Sequence, residues 1–187
     1  AFGPLTVLLR SRDQAAPQLH DAQQVTIAGC MAKQGFTYNP RPYPGTLVQD
    51  PTELAGLSPH QIKQWNVALQ GKSIGPDDIP NAGGITDSTI VVITGPDGNR
   101  YFRNNTCLYA AHSAVFGNVA KWFTLDGTVN DLAQQATTKA EADPRWDKQP
   151  DQVLKEIETQ IAGTHQVIIQ RYNQLLDRAQ IRADGLL

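Results

Sequence analysis

The sequence predicts an α+β fold that is mainly helical and contains one β-hairpin. Two β-prone runs flank the turn Gly95-Pro-Asp-Gly98, a pattern typical of a hairpin over about 88–103. Apolar residues recur at helical spacing before this hairpin and through almost all of the chain after Asn105. A length of 187 residues fits a single domain, which we divide into an α+β core over 1–126 and a helical C-terminal part over 127–187.

The first elements predicted are a strand and a helix. The apolar run over 5–10 is too short for an independent helix and predicts a buried strand. After Pro17 the pattern becomes helical, and Gly35 supplies a left-handed end to this helix. Its apolar face contains Leu19, Ala22, Thr26, Ile27, Cys30 and Met31.

The next helix has a complete set of start and stop signals. Ser58 is a typical N-terminal cap, Pro59 suits the first helical position, and Gln61 completes a capping box. Gly71 ends the apolar pattern and therefore predicts the end of the helix.

The chain after the hairpin predicts three helices. Thr106 is the predicted cap of the first and Thr128 that of the second, which Asp143-Pro144 ends. The third spans about 151–183, with Gly163 predicted to break or bend it. An antiparallel helical pair is favoured here over an oligomerising coiled coil.

The charge pattern excludes nucleic acid as a partner. Sixteen basic and 18 acidic residues give a net charge of -2, spread evenly along the chain. Binding to a phosphate backbone needs a basic patch, which is missing. No apolar run reaches the roughly 18 residues that span a bilayer, so no transmembrane segment is predicted. The only methionine is Met31 and the sequence begins at Ala1, so the lack of a signal peptide says nothing about the compartment.

The two cysteines leave two interpretations open. Cys30 lies on the apolar face of a predicted helix, and Cys107 follows a predicted helix cap. Both suit buried free thiols, and both suit one disulfide in an exported protein. A redox-active pair is not expected, since the chain has no Cys-x-x-Cys motif.

No motif for catalysis, a metal or a cofactor is present. The four histidines lack metal-ligand spacing, and no nucleophile elbow or phosphate loop occurs. His112, on an Ala-rich helix, is the candidate for an enclosed histidine, although a satisfied, partly buried side chain is favoured over a catalytic base. Asp77 and Asp78 lie in a Gly/Pro-rich loop and are interpreted as a solvated turn.

Aromatic side chains near loop edges are the remaining candidates for ligand binding. Core filling is favoured for Trp65, whereas Tyr38 and Tyr43, which lie beside prolines, are predicted to face a cleft. The candidate ligand-binding residues are Phe36, Tyr38, Tyr43, Trp65, Tyr109 and His112.

The segment Cys30-Met31, followed by Gly35-Phe36-Thr37-Tyr38, resembles the Cys-Met-x-x-x-Gly-Phe-x-Tyr segment of uncharacterised exported proteins and lipoproteins of actinobacteria such as Streptomyces. The resemblance implies a disulfide between Cys30 and Cys107 and a secreted protein, or one held on the outer face of the membrane by a lipid anchor upstream of Ala1. It implies no catalytic residue. Because many members have further cysteines in the C-terminal part, where this chain has none, the long helix is expected to be held by packing alone.

These observations favour a non-enzymatic extracellular or cell-surface module. Its expected ligand is a peptide, a small apolar metabolite or a cell-wall component, and antibiotic self-protection or sequestration is an expected role. The first alternative is a secreted hydrolase or biosynthetic tailoring enzyme whose site forms no sequence motif. The second alternative is an interaction protein that dimerises through its C-terminal helix.

Overall fold

The structure, a computed structural model, describes residues 2–44, 50–72 and 105–187. Within these ranges 77% of the residues are helical. The helices are α1 (Pro4–Lys33), α2 (Pro51–Leu54), α3 (Pro59–Gln70), α4 (Cys107–Phe116), α5 (Val119–Glu141), α6 (Pro150–Thr164) and α7 (Gln166–Leu186).

The predicted α+β class is wrong, because the described residues form helices and no strand. Residues 5–10, expected to be a strand, lie inside α1. Leu5 and Leu8 are buried while Val7 is 51% exposed, so the apolar run presents one helical face rather than two buried strand faces. The predicted hairpin over 88–103 lies outside the described residues.

The predicted helix signals around α1, α3 and α4 are confirmed. Gly35 has a φ of 83°, the left-handed conformation expected after α1. At α3 the Ser58 hydroxyl accepts from the amide of Gln61 at 3.2 Å, and the Gln61 side chain accepts from the amide of Ser58 at 2.8 Å. The Thr106 hydroxyl caps α4 by accepting from the amide of Tyr109 at 3.1 Å.

Two later boundaries differ from the prediction. Thr128 lies inside α5, which begins at Val119, and its hydroxyl donates to the carbonyl of Thr124 at 2.9 Å instead of capping a helix. The predicted break near Gly163 is confirmed two residues later, because His165 separates α6 from α7.

The chain groups into two compact units, which we describe separately. The first unit comprises Ala1–Ala16 and Lys121–Arg178. One cluster of its core consists of Leu5, Leu132, Ala136 and Ile161. The division of the chain into a core over 1–126 and a C-terminal part stays a prediction.

A buried carboxylate caps the start of α1 within the first unit. Glu158 is 2% exposed and accepts the amide and the hydroxyl of Thr6, each at 2.6 Å. A negative charge is favourable at a helix N-terminus because the free amides point towards it. The approach requires glycine at position 3, since a Cβ on Gly3 would lie 2.8 Å from the Glu158 side chain.

A polar network around Tyr172 is also part of the first unit. The fully buried Tyr172 donates its hydroxyl to Asp126 at 2.7 Å, and its ring stacks on Trp122 with centroids 5.3 Å apart. Arg12 contacts the same Asp126 oxygen at 3.2 Å and donates to Asn130 at 3.0 Å. Burial and the hydrogen bond to Asp126 raise the pKa of Tyr172 well above its usual value.

The second unit comprises Pro17–Ala120 and Ala179–Leu187. Within it α3 packs against α4. The large apolar side chains buried in this unit include Ile27, Met31, Leu69, Val115 and Phe116. The candidate functional site lies in this unit.

Candidate functional site

A disulfide between Cys30 and Cys107 joins the end of α1 to the start of α4, which confirms the pairing. Cys107 is fully buried. The side-chain amide of Gln34 donates to the Cys107 sulfur at 3.3 Å. The disulfide therefore holds the C-terminal end of α1 beside the start of α4.

The loop after α1 is held by a buried ion pair between Arg41 and Glu53. The Glu53 side chain is 0% exposed and that of Arg41 is 11% exposed. Both terminal guanidinium nitrogens of Arg41 donate to the carboxylate, with Nη2 at 2.8 Å from Oε1. Glu53 also accepts the backbone amide of Asn39. The hydrogen bond to Glu53 raises the pKa of Arg41, so this charge is permanent.

Tyr38 and Trp65, two predicted ligand-binding residues, are packed into this same loop. Tyr38 is 5% exposed and donates its hydroxyl to Gln24 at 2.8 Å. Its ring lies 4.1 Å beneath the Arg41 guanidinium carbon and stacks on Trp65, with ring centroids 6.2 Å apart. The Trp65 indole donates to the carbonyl of Thr37 at 2.8 Å. Burial raises the pKa of Tyr38, which keeps its hydroxyl a neutral donor.

Asp50 forms the other end of the loop and caps the short helix α2. It accepts the side-chain amide of Asn39 at 2.9 Å and the backbone amide of Thr52 at 2.9 Å. The bond from Asn39, followed by those from Thr52, lowers the pKa of Asp50 to about 2. Asp50 is therefore a constant negative charge that holds loop and helix together.

The other predicted residues are dispersed over the second unit. Tyr43 is 48% exposed, and its ring meets the edge of the His20 ring at 5.5 Å between centroids. His112 is half-buried, with Nδ1 3.0 Å from the carbonyl of Leu108. Tyr109 is half-buried on α4. Phe36 is the predicted residue that lines the cavity formed by the described residues.

That cavity is an open groove of about 530 Å³ along α3. Its apolar lining consists of Phe36, Val67 and Ala68, and its polar lining along the helix consists of His60, Lys63 and Gln64. At the end beside the disulfide the groove is completed by Gln34 and Asn105. We call this cavity the α3 groove.

Four of the five polar side chains of the α3 groove differ from those of the loop because they have no partner among the described residues. Among the described residues, no hydrogen-bond or ion-pair partner contacts the side chains of His60, Lys63, Gln64 or Asn105. The described lining includes no carboxylate. The α3 groove therefore offers several donors, including the ammonium group of Lys63, beside an apolar surface.

Sequence reasoning missed the residues of α3 that line this groove. His60, Lys63, Gln64 and Val67 are spaced i, i+3, i+4 and i+7, which places them on one helical face. That spacing is visible in the sequence, but it carries no motif for catalysis or metal binding. Trp65, on the opposite face of α3, was predicted to bind ligand because it is aromatic.

Comparison of the chain with protein-family models, with curated proteins and with solved structures finds no match. Over the described ranges, no group of His, Cys, Asp or Glu side chains is arranged to hold a metal ion. None of the helices seen in 2–44, 50–72 and 105–187 is long and apolar enough to cross a membrane.

Proposed function

We propose that the chain is an exported, non-enzymatic binding protein that holds a small, partly apolar ligand in the α3 groove. The observation that carries the proposal is the composition of the groove, where apolar side chains lie next to four polar side chains that no other group in the described chain contacts. Ligand sites in proteins combine an apolar surface with a few convergent polar groups in this way.

The disulfide supports the exported location. Disulfides persist in oxidising compartments and are rare in the cytosol. Here Cys30 and Cys107 also anchor the wall of the α3 groove, since Gln34 both lines the groove and donates to Cys107. A wall held by a covalent bond is preorganised, which lowers the cost of ordering it when a ligand binds.

Three of the four histidines give no support to the enzyme alternative, because each contacts a backbone carbonyl. His20 contacts the carbonyl of Arg41 at 2.9 Å, and His165 contacts the carbonyl of Ile161 at 2.9 Å. Both side chains therefore make hydrogen bonds to the backbone. His112 contacts the helix carbonyl one turn before it. The geometry therefore favours binding and sequestration over a chemical step.

The proposal is tested with the neutral fluorescent probe N-phenylnaphthylamine. We expect saturable binding of one equivalent, measured by the rise in probe fluorescence. Val67→Asp should weaken binding about tenfold, because it removes an apolar contact worth roughly 1.5 kcal/mol. Val67 is 36% exposed, so the substitution should leave the fold intact.

The matched control is Val167→Asp. Val167 is 59% exposed on α7 and does not line the α3 groove. It should leave the probe affinity unchanged. Absence of saturable binding, or an equal loss of affinity in both variants, would contradict the proposed function.

A further inference from the structure

We propose that the α3 groove selects small amphipathic anions, that is, molecules with an apolar body and one anionic headgroup. This inference rests on the proposed function, because it names the ligand class of the same groove. It is carried by the order of side chains along α3, in which donors come first and apolar residues follow.

The spacing along the helix sets where head and body lie. His60, Lys63 and Gln64 occupy the N-terminal part of α3, and Val67 and Ala68 follow one turn later. An α-helix rises about 1.5 Å per residue, so Lys63 and Val67 are roughly 6 Å apart along the axis. A headgroup at Lys63 therefore places an attached ring or short alkyl chain over Val67.

Charge complementarity decides the sign of the headgroup. Lys63 has no acidic partner among the described residues, and no described lining residue is acidic. A neutral ligand that covered Lys63 would take this charge out of water without a partner, which is unfavourable. An anion replaces the lost water contacts with a charge-assisted hydrogen bond, and the amides of Gln64 and Asn105 provide further donors.

The experiment compares two probes that share the same rings. Anilinonaphthalene sulfonate is N-phenylnaphthylamine with one sulfonate added, so the ratio of their dissociation constants isolates the contribution of the charge. We expect the sulfonate to bind about fivefold tighter at low salt, with the preference shrinking as salt is raised. Lys63→Met should make the two affinities equal, while Lys63→Arg should retain the preference.

Lys155→Met is the matched control, because Lys155 is an exposed lysine on α6 outside the groove. It should leave the preference for the sulfonate unchanged. Circular dichroism of each variant verifies that the helices are intact. A fivefold preference that survives Lys63→Met, or that is lost equally in Lys155→Met, overturns the inference.

Competition experiments identify the headgroup. Octanoate and octyl phosphate should each displace the bound sulfonate probe at lower concentration than octanol. Whichever of these two anions displaces the probe at the lower concentration identifies the headgroup class. Equal displacement by octanol would overturn the inference. If the neutral probe binds and responds to Val67→Asp but the sulfonate is no tighter, the anion inference fails and the proposed function stands. If neither probe binds, the proposed function itself fails.

Discussion

Replacing Glu53 with glutamine should test whether the buried ion pair holds the loop after α1. The Glu53 side chain is 0% exposed and accepts from both terminal nitrogens of Arg41 and from the amide of Asn39. Glu53→Gln removes the negative charge that both terminal nitrogens of Arg41 contact, at a position where the Arg41 side chain is only 11% exposed. Breaking a buried pair from one side costs about 3–5 kcal/mol. Because glutamine keeps one acceptor oxygen, we expect a value near the lower end, about 3 kcal/mol.

The measurement is urea unfolding followed by circular dichroism, together with a thermal melt. For a chain of this length, about 3 kcal/mol corresponds to a fall in Tm of roughly 6–12 °C. The matched control is Glu156→Gln, which breaks the Glu156–Arg145 pair at 3.0 Å with side chains 43% and 48% exposed. Exposed pairs of this kind contribute little to stability, because water screens the two charges. If Glu53→Gln costs no more than Glu156→Gln, the reasoning from burial is wrong.

The double variant Arg41→Met/Glu53→Leu separates the pair from its surroundings. Removing both charges leaves no uncompensated ion, so we expect it to be more stable than Glu53→Gln by about 1–2 kcal/mol. The amide of Asn39 still loses its acceptor, which prevents full recovery. A double variant less stable than Glu53→Gln would contradict this explanation.

Three further predictions concern other parts of the fold. Replacing both Cys30 and Cys107 with alanine should lower the free energy of unfolding by about 4.5 kcal/mol, the loop entropy for a separation of 77 residues; a loss below about 1 kcal/mol in urea would contradict it. Glu158→Gln should cost about 2 kcal/mol, since α1 loses a charged cap, and an unchanged thermal melt would refute this role. Tyr172 should ionise well above the usual tyrosine range in a spectrophotometric titration. Because its folded pKa is raised, its contribution to stability is complete below pH 10 and is lost as the pH rises further. Ionisation of Tyr172 within the usual tyrosine range would disprove this, and Asp126→Asn should lower the pKa of Tyr172.

Local signals in the sequence predicted the helix ends well because a cap needs only neighbouring residues. The Ser58 and Gln61 side chains exchange hydrogen bonds with each other's backbone three positions apart, so the sequence contains the whole interaction. Thr128 has a hydroxyl group that could cap a helix, but it does not act as a cap. Its hydroxyl bonds one turn back inside α5, an alternative that the residue type does not distinguish from capping.

The predicted strand was wrong because a short apolar run is ambiguous without its partners. The run over 5–10 fits a buried strand and one end of a longer helix equally well. Leu5 packs against Leu132, Ala136 and Ile161, more than 100 positions away, and these contacts favour the helix. Glu158 adds a cap from an equally distant segment. No local pattern contains this information.

The candidate site was predicted only in part, for a similar reason. Aromatic residues beside prolines suggested a cleft, but Tyr38 is buried because Arg41 covers its ring and pairs with Glu53. The ion pair joins Arg41 and Glu53, which are 12 positions apart, and no helical or strand periodicity in the sequence predicts their contact. Phe36 does line the α3 groove, and the helical spacing of Lys63 and its neighbours was the available signal for the rest.

The polar side chains of the described residues therefore form two groups: those whose hydrogen bonds hold segments of the fold together, and those that contact no other part of the described chain. Over the described residues, every buried side-chain nitrogen and oxygen has a hydrogen-bond partner, including those of Glu53, Glu158 and Tyr172. Satisfied groups of this kind hold segments in place and are costly to change. Lys63 and Gln64 are exposed, touch no partner in the described chain, and yet share a face with Val67 beside the disulfide. Since the fold does not use these side chains, Lys63→Met can test the proposed binding without removing an interaction that holds the described chain together.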